Sequence, residues 1–342
     1  MLYQYPDVPQ SKPALSTRPG AGIAAYGFVE RPNCPLCGSA PATAIYRSGF
    51  DEGAIGRFIQ SYYQIDPSLL DAAPYELMRC PQCTLVYQRF AGDDRLLGDL
   101  YGSWINDWNR PEHDPIYQAE VSAPLRSRDG HEILVAADFL GRRPEQLTVL
   151  DFGMGWALWA RIARQLGCAS YGQELAEERV AFGQRHGIKT IDTSELGTPM
   201  FDFINTEQVI EHVRDLSGTA ELLARSLRPG GILKISVPNA ERATDIAADL
   251  RDGRCGGSID ELMPVHPLEH VNSYTRRALA VLAARLNLTM VRPGPLQRYS
   301  FLKRRGSILL TKPAKAVKEL VRPIYQYHNG RNLYVWMQRR SA

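Results

Sequence analysis

No run of about 18 apolar residues occurs anywhere in the 342-residue chain, which argues against a transmembrane helix. The opening stretch, MLYQYPDVPQSKPALSTRPG, lacks an apolar h-region and is rich in proline. It reads as a loose arm and not as a signal peptide. With no export signal, the expected compartment is the cytoplasm, and the six cysteines are expected to stay reduced, where pairs more often hold metal than form disulfides. There is no internal repeat. Apolar content of 44% and charged content of 23% are those of an ordinary globular chain, long enough for one large domain and a small one.

The net charge of +3 hides an asymmetry. From Arg292 onward there are twelve Lys/Arg and a single acid, Glu319, so this end carries +11 and the rest −8. Such a split means that the basic segment meets something anionic, either the acidic body of its own domain or an outside partner.

Residues 30–92 are punctuated by Cys, Pro and Gly, with short strand-like pieces such as TLVYQRF. A polar, aromatic stretch, LYGSWINDWNRPEHDPIYQ, has too little periodic hydrophobicity for an assignment. The pattern then alternates. LTVLDFG, ASYGQEL, GIKTIDT, FDFINT and GILKISVPN read as strands. WALWARIARQLG, AEERVAFGQRHG and LSGTAELLARSLRPGG read as helices between them, the first two closed by Gly167 and Gly187. TRRALAVLAARLN is a later helix, and LTMVRPG with SILLTKP an expected closing strand pair. This alternation implies an α/β, doubly wound, mainly parallel sheet with helices on both faces.

Asp151-Phe152-Gly153-Met154-Gly155-Trp156-Ala157 follows the first strand, where a doubly wound fold binds its nucleotide. Glycines let the turn be tight and a ligand approach the backbone. Glu174 ends the second strand, 23 residues after Asp151, where a carboxylate can accept both hydrogen bonds of a ribose diol. Asp151 inside the turn would repel a pyrophosphate but can sit beside a sulfonium.

Cys34-Pro35-Leu36-Cys37 and Cys80-Pro81-Gln82-Cys83 are two Cys-x-x-Cys turns. Two thiolates on one tight turn can face one ion, and two such turns supply the four ligands of a closed, structural zinc site. Cys168 and Cys255 stand alone.

VLDFGMGWA, YGQEL, FDFINTEQVIEHV and LRPGGILKISVPN resemble, in order and spacing, the successive motifs of class I methyltransferases, and the later HPLEHVNSYTRRALAVLAARLNL resembles a segment of small bacterial members. CPLCG and RCPQCTLVY resemble the zinc-ribbon prefix of many bacterial methyltransferases, departing at Thr84 where those have Gly. The resemblance covers roughly residues 95–312 of the sequence, besides the prefix. It implies a seven-stranded sheet with an antiparallel last strand, and S-adenosylmethionine as methyl donor. Asp151, Gly153 and Gly155 then line the methionine half, Glu174 holds the ribose, Asp192 or Thr193 lies near adenine, and Thr206 joins the cofactor residues. The implied organisation is an arm over 1–29, a zinc-binding module over 30–92, the methyltransferase domain over 93–312 and a basic tail over 313–342. Tyr101, Trp104 and Trp108 resemble an aromatic stretch that folds over the cofactor, where rings could shield the sulfonium.

Methyl transfer is an in-line displacement, so the enzyme mainly aligns nucleophile, methyl and sulfur, and an alcohol acceptor also needs a base. His270 and His212, with Glu211 beside the latter, are the candidates, and His266 shares the HPLEHVNSY segment. Gln208-x-x-Glu211-His212 also resembles the Glu-x-x-Glu-His of methyltransferases that grip substrate oxygens through a divalent ion, although an amide is a weak ligand for a hard cation. The preferred acceptor is a small molecule or glycan, with O-methylation of a sugar or secondary metabolite. The alternative is RNA, gripped by the zinc module and the basic end, with Lys303-Arg304-Arg305 and Arg339-Arg340. Against it, the fourth strand runs on as Asn205-Thr206-Glu207-Gln208 and has no Asn-Pro-Pro-Tyr-like motif for flipped bases.

Overall fold

In the computed structural model the described residues are 25–40, 42–105, 110–111, 113–304, 321 and 330–340. Among them no helix is long and apolar enough to cross a membrane.

The N-terminal part contributes β1 (Phe28–Glu30), β2 (Thr43–Ser48), β3 (Tyr75–Arg79), β4 (Val86–Gln88) and β5 (Phe90–Gly92). The central part contributes β6 (Thr148–Phe152), β7 (Ala169–Gln173), β8 (Lys189–Thr190), β9 (Phe201–Glu207) and β10 (Leu227–Pro238). Then follow β11 (Asn272–Ser273), β12 (Leu288–Val291) and β13 (Asn332–Arg339).

The principal sheet has seven strands in the order β12-β13-β10-β9-β6-β7-β8. β13 alone runs against its neighbours, antiparallel to both β10 and β12, while the other pairs are parallel. β9 is buried from Phe201 through Thr206, and β10 from Ile232 through Pro238. Burial on both faces is what central parallel strands between helices require. The helix Leu158–Gln165 buries Trp159, Ala160, Ile162 and Ala163 against one face. The helix Arg276–Arg285, capped by the Thr275 hydroxyl accepting from the Ala278 amide at 3.0 Å, buries Ala278, Leu279, Leu282 and Ala283. The chain order reverses at β6, between β7 and β9, and such a switch point opens the ligand crevice of this architecture.

The strand pair expected at the close is formed differently. β12 pairs with β13, whereas SILLTKP lies outside the described residues. Part of the segment expected to trail as a tail is therefore a strand inside the sheet, and three of its residues bury themselves there, Leu333, Trp336 and Met337 at 1%, 2% and 0% exposure. Its basic flank explains the misreading. Arg339 spends its guanidinium on the carbonyls of Leu227 and Arg225, at 2.6 and 3.1 Å, so charge that reads as a solvated run instead pins the strand end.

A four-stranded antiparallel sheet, β11-β4-β3-β2, joins the N-terminal part to the rest. β11, from late in the chain, pairs with β4. Cys34, Leu36, Cys80, Cys83, Leu85 and Tyr87 share one apolar core with Ile204, Leu233 and Leu279. The cysteine turns are thus packed onto the principal sheet.

Candidate functional site

The turn after β6 is shaped by its glycines. Gly153 has φ +69, and a Cβ there would stand 2.7 Å from the Val209 side chain, so the turn lies directly against the segment that follows β9. Gly155 has φ +52, also left-handed. The Glu174 carboxylate reaches back over this turn. It accepts from the Gly155 amide at 2.9 Å and from the Leu175 and Ala176 amides at 2.8 and 3.0 Å. Asp151 lies deeper. Its oxygens take the Asn205 side-chain amide at 2.7 Å and the Ala160 amide at 3.2 Å, and burial, opposed by the Asn205 bond, pushes its carboxyl up to about 7. Asp151 ties β6 to β9 and to the start of a helix from beneath the turn. Asp192 is exposed and caps the short turn Thr193–Glu195, accepting from the Ser194 amide at 2.8 Å.

Thr206 is a correction. It is 0% exposed, and its hydroxyl donates to the Lys234 carbonyl at 2.9 Å. Its hydroxyl proton is spent on the neighbouring strand β10, and the side chain is closed to solvent. Tyr101 and Trp104 also depart from expectation. The Tyr101 hydroxyl sits 3.0 Å from His212 Nδ1, and Trp104 is buried edge-on to Tyr26. Trp108 lies outside the described residues. The element over the glycine turn is instead the helix Pro115–Ser122, whose Tyr117 hydroxyl donates to the Trp156 carbonyl at 2.7 Å.

Glu211, His212 and His270 converge, with one ligand atom of each within 4.8 Å of the others. Glu211 is 1% exposed and neither carboxylate oxygen has a hydrogen-bond partner, so burial pushes its carboxyl well up. His212 Nδ1 is 3.1 Å from the Glu269 carbonyl. The Tyr101 hydroxyl meets the same nitrogen at 3.0 Å; a carbonyl only accepts, so a proton on Nδ1 satisfies both neighbours, the hydroxyl oxygen accepting too, and the Nε2 lone pair is left for another donor. His270 Nδ1 likewise faces the Met263 carbonyl, and its ring stacks on His266 at 4.7 Å. His270 is 1% exposed, whereas His212 is half-buried.

Burial lowers His212 and His266 to about 4, and His270 well below its usual range. A depressed imidazole adds stability that is present above about pH 6.5 and lost as pH falls toward the folded value. Glu269 acts in the opposite sense. Burial raises it to about 7, so its contribution is present at low pH and lost as pH rises through about 7. Single variants separate these opposing slopes. His266→Asn is expected to reduce the stability lost between about pH 7 and pH 4 by roughly 3 kcal/mol, read from denaturant unfolding at the two pH values. An unchanged difference would mean that His266 is not held neutral.

Beside this cluster lies a network that sequence reasoning missed. Lys234, 1% exposed, donates to Asn205 Oδ1 at 2.8 Å and to Glu207, while Glu207 also pairs with Arg128 at 2.5 Å. Burial pushes the Glu207 carboxyl up, but Arg128 and Lys234 overcome it and hold it at about 2. The Arg128 partner comes from a helix 79 residues earlier, so no local pattern announces it.

The four cysteine sulfurs of Cys34, Cys37, Cys80 and Cys83 also lie within 4.8 Å of one another. The Cys34–Cys83 and Cys37–Cys80 Sγ distances are both 3.5 Å, and none of the four forms a disulfide.

Residues 127–292 match a family described as a methyltransferase domain, taking in β6 through β12. This stretch, just under half of the chain, is similar to a methyltransferase domain, and within it the glycine turn and Glu174 lie at the switch point of the seven-stranded sheet. Among named relatives, a ubiquinone biosynthesis O-methyltransferase of Chelativorans sp. (strain BNC1) is 25% identical over 166 residues, 44% of this chain and 62% of that protein. One from Xanthomonas oryzae pv. oryzae (strain PXO99A) is 30% identical over 160 residues, 41% of this chain and 60% of that protein. The chain therefore spans less than two thirds of the length of the curated relatives it matches. Among solved structures, the Burkholderia thailandensis 1,6-didemethyltoxoflavin-N1-methyltransferase, with 1,6-didemethyltoxoflavin and S-adenosylhomocysteine bound, aligns over 77% of this chain and 99% of that one, at 18% identity and a TM-score of 0.43.

Proposed function

We propose that the chain transfers a methyl group from S-adenosylmethionine to an oxygen of a small-molecule or glycan acceptor, with His212 as the base. What carries this reading is the position of His212. Its segment abuts the glycine turn through Val209 and Gly153, and the Glu269 carbonyl, beside the Tyr101 hydroxyl, favours a proton on Nδ1, which would make Nε2 the base. Glu174 would release the Gly155 amide and accept the ribose hydroxyls, while Gly153 and Gly155 would pass the methionine half. His270, the first candidate from sequence, is here the inner neighbour of His212, walled in by His266. The test is calorimetric titration with S-adenosylmethionine and S-adenosylhomocysteine, followed by methyl transfer to panels of hydroxylated aromatics and sugars. Failure to bind either cofactor form defeats the proposal. Nucleic acid copurifying with the chain and accepting methyl groups would favour the RNA alternative.

A second reading has its own observation. The unpartnered Glu211 carboxylate, close to His212 and His270, is a donor set for a divalent ion that would hold the acceptor's oxygens. Manganese binding that is lost in Glu211→Gln would support it.

We also propose that Cys34, Cys37, Cys80 and Cys83 hold a structural zinc ion. Tetrahedral Zn–S bonds of about 2.3 Å place sulfurs about 3.8 Å apart, close to the 3.5 Å separations found here. Four thiolates leave no open position for substrate. Metal analysis of protein purified without chelator is expected to find one zinc per chain. Cys80→Ser is expected to lose it, destabilising the N-terminal part while cofactor affinity stays within a few-fold. Zinc-free native protein would refute the assignment.

A further inference from the structure

The segment 265–271 carries His266, Glu269 and His270, and at Leu268 its backbone is left-handed, with φ +67. A leucine stays in that region only where its surroundings over-determine it. Here the surroundings are side chains from residues 31–88. The Tyr75 hydroxyl donates to the Val265 carbonyl, and the Tyr63 hydroxyl to the Pro267 carbonyl at 2.6 Å. Gln88 Nε2 donates to the His266 and His270 carbonyls at 2.9 and 3.1 Å, and Gln88 Oε1 accepts from the Leu268 amide at 3.3 Å. Arg31 donates to the Val271 carbonyl and to Asn272 Oδ1. Arg31, Tyr63, Tyr75 and Gln88 are all buried. Arg31 precedes the first cysteine turn by three residues, and Gln88 follows the second by five. Between these grips one carbonyl, that of Glu269, faces His212 Nδ1.

We propose that the N-terminal part is a mould for the acceptor site, with Gln88 its central positioning residue. By holding the backbone on both sides of Glu269, Gln88 aims that carbonyl at His212, keeps the imidazole proton on Nδ1 and so leaves Nε2 as the base. Gln88 touches no reacting atom; it acts through the loop. The inference rests on the reading of His212 as the acceptor's base.

The experiment uses the full chain with ¹⁵N-labelled histidine. Long-range imidazole spectra report the tautomer of His212, amide hydrogen exchange reports the loop, and S-adenosylhomocysteine calorimetry reports the cofactor site. Gln88→Met keeps the length of the side chain and removes all three bonds. It is expected to shift the His212 tautomer ratio away from the Nδ1–H form by about tenfold, the worth of one or two buried hydrogen bonds. Exchange at Leu268 and Val271 should rise by at least about tenfold, with β6 and β9 amides and cofactor affinity nearly unchanged. Tyr63→Phe, which removes one hydroxyl, should move both readings in the same direction by less, and stands in should Gln88→Met not fold. An unshifted tautomer in the folded variants overturns the inference. So does exchange that rises uniformly across β6 and β9, since Gln88 would then merely support the fold. If the native chain fails to bind S-adenosylhomocysteine, the proposed function falls, while the tautomer result still decides the mould.

Discussion

Glu174→Ala is expected to weaken S-adenosylhomocysteine binding by about 10²–10⁴-fold, because a charged acceptor of two ribose hydroxyls contributes on the order of 1.5–3 kcal/mol per bond. In the free chain the same carboxylate already accepts three backbone amides, from Gly155, Leu175 and Ala176. The substitution therefore removes a ligand for the cofactor and also unpins the glycine turn. Glu174→Gln separates the two effects. An amide keeps one acceptor oxygen but loses the charge, so its affinity should fall between native and Ala. Calorimetry reads both. Equal affinity in native and Ala protein would show that the crevice at the β6–β7 edge is not where the cofactor lies.

His212→Ala is expected to lower turnover by roughly 10²–10⁴-fold, the usual contribution of a positioned base, while S-adenosylhomocysteine affinity stays unchanged. The pH profile carries a sign. Burial, with some help from His266, lowers the His212 imidazole to about 4, so the ring is already neutral at physiological pH. Its limb of the native profile should be flat at neutral pH and decline only as pH falls toward about 4. This differs from the limb near 6.5 that an unperturbed histidine would give. His270→Ala should act more mildly, since its ring is packed behind His212 and against His266. Near-native turnover of His212→Ala would leave proximity, or a Glu211-held ion, as the mechanism.

The two Cys-x-x-Cys turns and the glycine turn were legible because each is a local device. A cysteine pair on one turn, or a left-handed glycine after a strand, needs only neighbouring residues to be recognised. The same holds for the strand–helix alternation from Leu147 to Asn239, where period and punctuation are local properties. Thr206 shows where this reasoning stops. The side chains of a strand alternate between faces, and which face looks onto the crevice depends on pairing with β6 and β10. Tyr101 was expected over the cofactor and instead meets His212, 111 residues away, a contact that no spacing encodes.

The sequence by itself determined the doubly wound architecture, the cysteine set, the Glu174 position and the histidines worth testing. These follow from short-range pattern and residue chemistry. Only the tertiary structure decided that β13 closes the sheet, that Lys234 links Glu207 to Asn205, and that residues 31–88 grip the 265–271 loop. Each of these joins groups far apart in the chain, and their hydrogen bonds come into existence only when burial brings them together and removes water as the competing partner.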